Sequence, residues 1–454
     1  MKASACHVLR HGRKALLALK SVGTSRLGKN VFANYLGSFV NAAVPLLALP
    51  FILHALGRTM WGLVAFSTLI VTVMSLFNAG MAQSMVREFG SRWSAGHSGR
   101  LAAARLLYSY ERIYWCAALA IALCVFPFSN AIVSHWLHIG GIPHQVAVEA
   151  IYCAIALFLV QLPAAIYKTV LSSLQEQVWL NSVQASFALV KGLGGVVVAT
   201  VSGSVLAYLV FIVLAVLCET LTVASGAWRR MPVSRSTLRW DAREVRNTVR
   251  YSVTMSALVM LGVLTTQVDK LFVSSKLPID ELGIYSIAYS LAMGVLQIGY
   301  PIFTAVLPRF VQIGGDQAMR RRINSKLFKL VTLIILSVGI VYAIAGRTLL
   351  GLWLGDAALA GQVSKVLDWL MVSSALNTIY NIAYINWVSQ AEMRWLSAVN
   401  VVAFVLAVSI TPLAIDKFGL RGAAFALVAM NLVGSVSAII WLVRSARLAE
   451  GGRP

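Results

Sequence analysis

A charged side chain inside a long apolar run is costly to place, so it marks a buried partner or a path for another charge. Lys191 is such a residue. It stands in the stretch LVKGLGG, where the glycines that follow leave room for a neighbouring helix or a ligand. Its ammonium suits a diphosphate or an acidic sugar; it equally suits a structural acid, or a snorkelling route back to the interface. Asp269 and Lys270 stand side by side in another apolar run. Neighbours on a helix point about 100° apart, so these two do not simply pair with each other. They fit an ion-pair network between helices, or a gate or ion-coupling site, with Lys270 offered to an anionic substrate. Glu219 lies in a third run and could take a proton or Na+. Asn377, Asn381 and Tyr384 fall at i, i+4 and i+7, one helical face, and with Ser373 and Ser374 they make a polar stripe. Such a stripe can receive sugar hydroxyls or hydrogen-bond a neighbouring helix.

No catalytic arrangement joins these residues. The seven histidines lie in the tail, loops or turns, none at H-x-x-x-H spacing. His135, His138 and His144 cluster without an acid or cysteine beside them, so no metal site is expected. The five cysteines (Cys6, Cys116, Cys124, Cys153, Cys218) have no ligand spacing and suggest no disulfide framework. A phosphate-cradling Gly-rich loop is absent from the sequence, so direct ATP use is not expected. No cofactor is expected either, and coupling to H+ or Na+ is left open.

The elements that position these residues follow from composition. Of 454 residues, 59% are hydrophobic and 12% charged, and the mean hydropathy is +0.79. Soluble domains carry roughly a quarter charged residues. Continuous apolar runs near the bilayer-crossing length of about 20 residues recur along the chain. They lack period-2 alternation, so they read as helices, not barrel strands. The sequence predicts an all-α integral membrane protein with about twelve transmembrane helices. The spans are 31–53, 61–83, 113–130, 147–170, 180–201, 203–225, 251–275, 283–307, 328–346, 365–388, 396–414 and 421–443.

Charge sets the orientation. With the N-terminus inside, 29 of the 38 Lys and Arg fall in cytoplasmic segments, five outside and four within spans. That is the positive-inside pattern, with both termini cytoplasmic. It also accounts for most of the net charge of +22, so anionic membrane lipids are the expected partner of the basic surface and no nucleic acid is implied. Residues 1–30 form a basic cytoplasmic tail, solvated or lying on the inner leaflet as an amphipathic helix; 444–454 form a second tail. Lys168, near the inner end of span 4, can snorkel. Lys365 and Asp368 sit close to water, and Arg87 and Glu88 are interfacial.

The chain repeats itself. SSLQEQVWLNSV at 172–183 is echoed at an offset of 216 by VSQAEMRWLSAV at 388–399, matching Ser173, Glu176, Trp179, Leu180 and Val183 to Ser389, Glu392, Trp395, Leu396 and Val399. FILHALGRTMWGLVAF at 51–66 aligns at offset 221 with FVSSKLPIDELGIYSI at 272–287, placing Gly62 on Gly283. Each echo falls at an equivalent span six helices apart. Because six is even, the halves enter the membrane in the same direction: a parallel repeat of six-helix bundles, 31–225 and 251–443, joined by the basic cytoplasmic linker 226–250. Transporters are often built this way, with the substrate site between halves and alternating access by rocking; the step from repeat to transport is an analogy. Glu176 and Glu392 occupy equivalent inner loops, each followed by an interfacial Trp. They either favour helix N-termini or pair with basic loops and gate one access state. Pro45 and Pro50 are expected to bend or break span 1, and Pro163 span 4.

QVDKLFVSSKLPIDELGIYSIAYSL, 267–291, resembles the region around the seventh and eighth helices of polysaccharide-biosynthesis flippases, through Asp269, Lys270, Glu281, Gly283, Ile284 and Tyr285. ALGRTMWGLVAF resembles the first outer turn of the same family. The resemblance implies the multidrug/oligosaccharidyl-lipid/polysaccharide exporter fold and is strongest to the O-antigen flippase group of Gram-negative inner membranes. The implied substrate is an undecaprenyl-diphosphate-linked oligosaccharide repeat unit, for O-antigen or exopolysaccharide. A polysaccharide polymerase and glycosyltransferases are the implied protein partners. Lipid II flippases typically add two helices and carry early cationic residues, whereas this chain stops at twelve spans and span 1 has no Lys or Arg. Drug antiporters usually carry acids in the first helix, where this chain has Asn34 and Asn41. A cation-coupled multidrug antiporter is the alternative, and a membrane polymerase or ligase a weaker one, since such enzymes need a large outer loop.

Overall fold

The computed structural model describes residues 26–78, 81–238, 260–314, 316–390 and 392–451. The basic tail at 1–25, the second half of the linker (239–250) and the start of the expected span 251–275 lie outside the described residues. The first group of helices comprises α1 (Arg26–Leu56), α2 (Arg58–Met74), α3 (Met81–Trp93), α4 (Gly96–Val125), α5 (His144–Ser173), α6 (Gln177–Ser202) and α7 (Val205–Trp228). The second comprises α8 (Val268–Lys276), α9 (Ile279–Ile313), α10 (Gln317–Leu354), α11 (Ala357–Ser389), α12 (Met393–Phe418) and α13 (Leu420–Gly451). No strand occurs among the described residues, only a single backbone bridge between His138 and Pro278. Among the described residues, eight helices are long and apolar enough to cross a membrane by length and composition, and Arg58–Met74 is a shorter apolar one.

The chain turns between helices where its residues allow it. Gly355 takes the left-handed conformation after α10, with φ of 65°, which a side chain would resist. Asp356 then caps α11, its carboxylate accepting from the Leu359 N–H at 2.9 Å. Two connections expected as loops are largely helical: 84–112 is α3 and the start of α4, and 308–327 is the end of α9 and the start of α10. These helices carry on past their apolar stretches because nothing but the short turns at Ala95 and Gly314 interrupts them. The prolines do not break the helices: α1 continues through Pro45 and Pro50, and α5 through Pro163.

Apolar side chains point both ways. Small residues such as Ala147, Ala150 and Ala154 of α5 are buried and let helices approach closely. Large ones such as Leu333, Ile344 and Leu352 of α10 are exposed, as a lipid-facing surface requires. The α1–α7 helices pack mainly on one another, and so do α9 and α11–α13; α2 against α9 is the principal contact between the groups. That contact lies at the end expected to face outward. There the Ile279 N–H donates to the His138 carbonyl at 3.1 Å, and the Trp136 indole N–H to Ser274 Oγ at 3.0 Å. Arg58 reaches across to Asp356 and Gln362.

Candidate functional site

In the first group, three charged side chains from three helices converge. Lys168 of α5 donates to Glu219 Oε1 at 2.8 Å, and Lys191 of α6 to Glu219 Oε2 at 2.8 Å. Glu219 of α7 is almost fully buried, while the two lysines are about a third exposed, 32% and 29%. One carboxylate between two ammoniums leaves a surplus positive charge with access to its surroundings. Local structure sets this up. Val190–Gly194 is a turn of π-helix, a widening often found at functional sites. A side chain on Gly192 would strike Val44 of α1, and one on Gly194 would strike Phe211 of α7. The glycines of LVKGLGG therefore serve close helix packing, and the lysine has found an acid without losing its exposed edge.

In the second group, Asp269 and Lys270 diverge as helix geometry requires. The helix breaks at Thr266–Gln267, just before α8, and both residues sit in its first turn. Asp269 is buried; its Oδ2 accepts from the Tyr285 hydroxyl at 2.6 Å, and its Oδ1 has no hydrogen-bond partner. Lys270 Nζ lies 3.4 Å from the centre of the Tyr289 ring and donates to Gln267 Oε1 at 3.1 Å. Tyr285 and Tyr289 are one turn apart on α9.

Below them opens a cavity of about 350 Å³, lined among others by Thr266, Asn377, Tyr380, Asn381, Tyr384 and Asn431. A smaller pocket of about 120 Å³ shares Thr266, Asn377 and Asn431 with it and adds Tyr289, Ser373 and Ser374. The polar stripe of α11 thus lines a cavity and bonds a neighbouring helix at once. Asn377 donates to Asn431 Oδ1 at 2.9 Å, and Asn431 donates to Ser373 Oγ at 2.7 Å. Asn381 donates back to Asn377 Oδ1 at 2.9 Å. Amides, hydroxyls and tyrosine rings, with no acid or base on the wall, are surfaces for a neutral polyhydroxylated ligand.

Glu176 and Glu392 each bind within their own group. Arg230, at the end of α7, donates to Glu176 at 2.7 Å while lying over the Trp179 ring. The Trp441 indole of α13 donates to Glu392 at 2.9 Å, and Trp395 stacks on Trp387. Glu176, just before α6, is thereby fastened to the end of α7, and Glu392, just before α12, to α13. Glu111 gives no signal in the sequence, because it lies just ahead of the apolar span 113–130. It is buried in α4, accepting from the Tyr167 hydroxyl at 2.5 Å and pairing with Arg235 at 3.1 Å. Asn431 and Tyr380 were missed too; a lone Asn or Tyr in an apolar run carries no spacing signal.

The comparisons with known proteins agree with this architecture. The family of polysaccharide biosynthesis proteins matches residues 27–314. A Shigella flexneri protein named, provisionally, as an O-antigen transporter is 22% identical over 405 residues, covering 87% of this chain and 93% of that protein. Among solved structures, the lipid II flippase MurJ in an inward closed conformation superposes with a TM-score of 0.73 at 11% identity, over 91% of this chain and 87% of that one. An inward-facing multidrug resistance transporter of the MATE family, in the MOP superfamily, gives 0.67 at 13% identity, over 91% and 96%. These two establish the fold alone. With the family's pattern matched across more than half its length, this multi-pass membrane chain belongs to the polysaccharide biosynthesis protein family.

Proposed function

We propose that the protein is a flippase that carries undecaprenyl-diphosphate-linked oligosaccharide repeat units across the bacterial inner membrane, by alternating access between two six-helix bundles. It is a transporter, not an enzyme, with twelve crossings and both termini cytoplasmic. The observation that carries this reading is the division of labour between the halves. The first holds a surplus cation at Lys168, Glu219 and Lys191, and the second a neutral cavity of amides and tyrosines. A diphosphate needs the former. Sugar rings need the latter, since their hydroxyls exchange water for amide partners and their faces lie against aromatic rings. The family and the named relative point the same way.

In this mechanism the outer contact between α2 and α9 closes one face. Substrate arriving from the inner leaflet places its charge near the surplus cation and its glycan in the cavity. Opening outside requires that contact to part. Asp269, buried with a free carboxylate oxygen beside the helix break, is the group proposed to take the coupling H+ or Na+.

The test is accumulation of lipid-linked repeat units in a strain lacking the gene, complemented with wild type, Lys191→Ala or Asn377→Ala/Asn381→Ala. Units trapped on the inner leaflet and released by wild type are the expected result, with both variants impaired. No accumulation, together with altered drug sensitivity, would replace the flippase by the cation-coupled antiporter.

A further inference from the structure

Arg320, in the first turn of α10, is a buried cation whose direct hydrogen-bond partners among the described residues are all neutral. It is 3% exposed. Its guanidinium donates to Asn386 Oδ1 at 3.2 Å, Ser389 Oγ at 3.0 Å and the carbonyls of Phe310 and Gly314 at 3.2 and 3.0 Å, all neutral acceptors. Its Nε has no partner. Buried charges are ordinarily paired; here no carboxylate of the described residues lies within ion-pair distance, and Glu392 acts on the guanidinium only from farther off. Arg321 and Arg322 follow it in the same turn, the helix end where the backbone dipole disfavours cations and attracts anions.

Arg320 lines a cavity of about 380 Å³ between α10 and α13. Gln317, Arg321, Asn324, Ser325 and Lys329 supply its polar wall, and among the described residues no Asp or Glu lines it. Phe328, Ile439, Leu442 and Val443 supply the rest. Phe328, Ile439 and Val443 are exposed large hydrophobics, and the apolar face runs on along α10 through Leu333 and Leu336. A basic head and an apolar track, side by side at the end of a spanning helix, match a phosphate with acyl chains attached. A free anion would use only the first.

We infer that this cavity is a binding site for an anionic phospholipid of the inner leaflet, its phosphate held by Arg321 and Lys329 against Arg320 and its chains laid along Phe328, Ile439 and Val443. Basic pockets between helices on the cytoplasmic side take such lipids elsewhere. Among the described residues the lining comes from α10 and α13 and none from the first half, which favours a resident lipid over cargo passing between the halves. The inference is independent of what the protein transports.

The full-length protein is tested in phosphatidylcholine vesicles with and without phosphatidylglycerol, by thermal unfolding and by lipid retained in native mass spectrometry. Phosphatidylglycerol is expected to raise the unfolding temperature and to be retained. Each basic contact to an anionic lipid is worth roughly fivefold, so Arg321→Gln/Lys329→Gln should weaken retention about thirtyfold. Arg322→Gln/Lys326→Gln, on the same helix but not lining the cavity, should change little. Equal loss in both variants would mean unspecific attraction and overturn the site. So would equal retention of phosphatidylcholine, or an equal thermal shift from inorganic phosphate alone. Retention of undecaprenyl phosphate in place of phosphatidylglycerol would assign the cavity to the substrate and also end the proposal. Should the double variant fail to fold, the comparison of lipids on the wild type still decides it.

Discussion

Gly62 and Gly283 meet backbone to backbone where the two halves touch. A methyl group on Gly283 would stand 3.1 Å from the Gly62 nitrogen and 3.2 Å from the Arg58 carbonyl oxygen. One on Gly62 would run into the Ile279 carbonyl. These are the two glycines that the sequence echo aligns, so each group of helices brings its corresponding glycine to a common point. Overpacking such a contact costs about 1–3 kcal/mol, and under the proposed alternating access that cost falls on the state in which the contact is made. Gly62→Leu is therefore expected to shift the protein toward outward opening. A cysteine at Ser274, buried at this contact, in a background lacking the native cysteines, should react faster with an outer thiol reagent when Gly62→Leu is present. Unchanged labelling would remove the glycine pair from the gate.

The ion pair of Arg58 and Asp356 sits on the rim of the same contact, with both side chains over a third exposed. Asp356 is held below its ordinary value of 3.8, first by the Leu359 N–H that it caps and then by Arg58. A depressed carboxylate contributes its stability above the ordinary value and loses it as pH falls through the depressed one. The latch is therefore expected to be insensitive to outer pH from neutral down to about 5. Asp356→Asn keeps a capping side chain and removes the charge, so the outer contact should weaken by no more than about 1 kcal/mol. Asp356→Ala also loses the cap, at about 1 kcal/mol more. Thermal unfolding of the two variants separates the contributions; equal loss in both would mean the cap contributes nothing.

Asp269 depends on Tyr285 for its one hydrogen bond. Tyr285→Phe removes only a hydroxyl, yet leaves both carboxylate oxygens without a partner in a buried position. That is expected to destabilise the protein by about 1–3 kcal/mol, and the loss should shrink in the Asp269→Asn background. If the two substitutions add with no coupling, the bond does not hold the site together.

The sequence made the helices legible, because apolar runs of bilayer length have no other stable form in lipid. It also exposed Lys191, Glu219, Asp269 and the α11 stripe, since charge and amide stand out against Leu and Val. Partnership was not legible. Lys191 and Glu219 are 28 residues apart, and Asn377 and Asn431 are 54 apart, and no local spacing encodes such meetings. Glu111 escaped for a different reason: its helix, Gly96–Val125, begins well before its apolar stretch. Hydropathy locates where a helix crosses lipid, not where the helix starts.

The Lys168, Glu219 and Lys191 cluster separates fold from transport by arithmetic of charge. Removing one partner of a fully buried pair costs about 3–5 kcal/mol; partial exposure of both lysines brings the figure below that. Glu219→Gln leaves two ammoniums facing each other, so stability should fall most there. Lys191→Ala or Lys168→Ala leaves a neutral pair that still satisfies Glu219, so stability should change less while the surplus charge disappears. If that charge meets the diphosphate, each single lysine variant should lose transport while still folding. Lys191→Arg should keep it in part, and the double lysine variant should be worse in both respects because it strands Glu219. Thermal unfolding read beside release of lipid-linked units in the deletion strain distinguishes the cases. Full transport by both single lysine variants would make the cluster a structural tie between α5, α6 and α7, and the phosphate would have to be sought at Lys270.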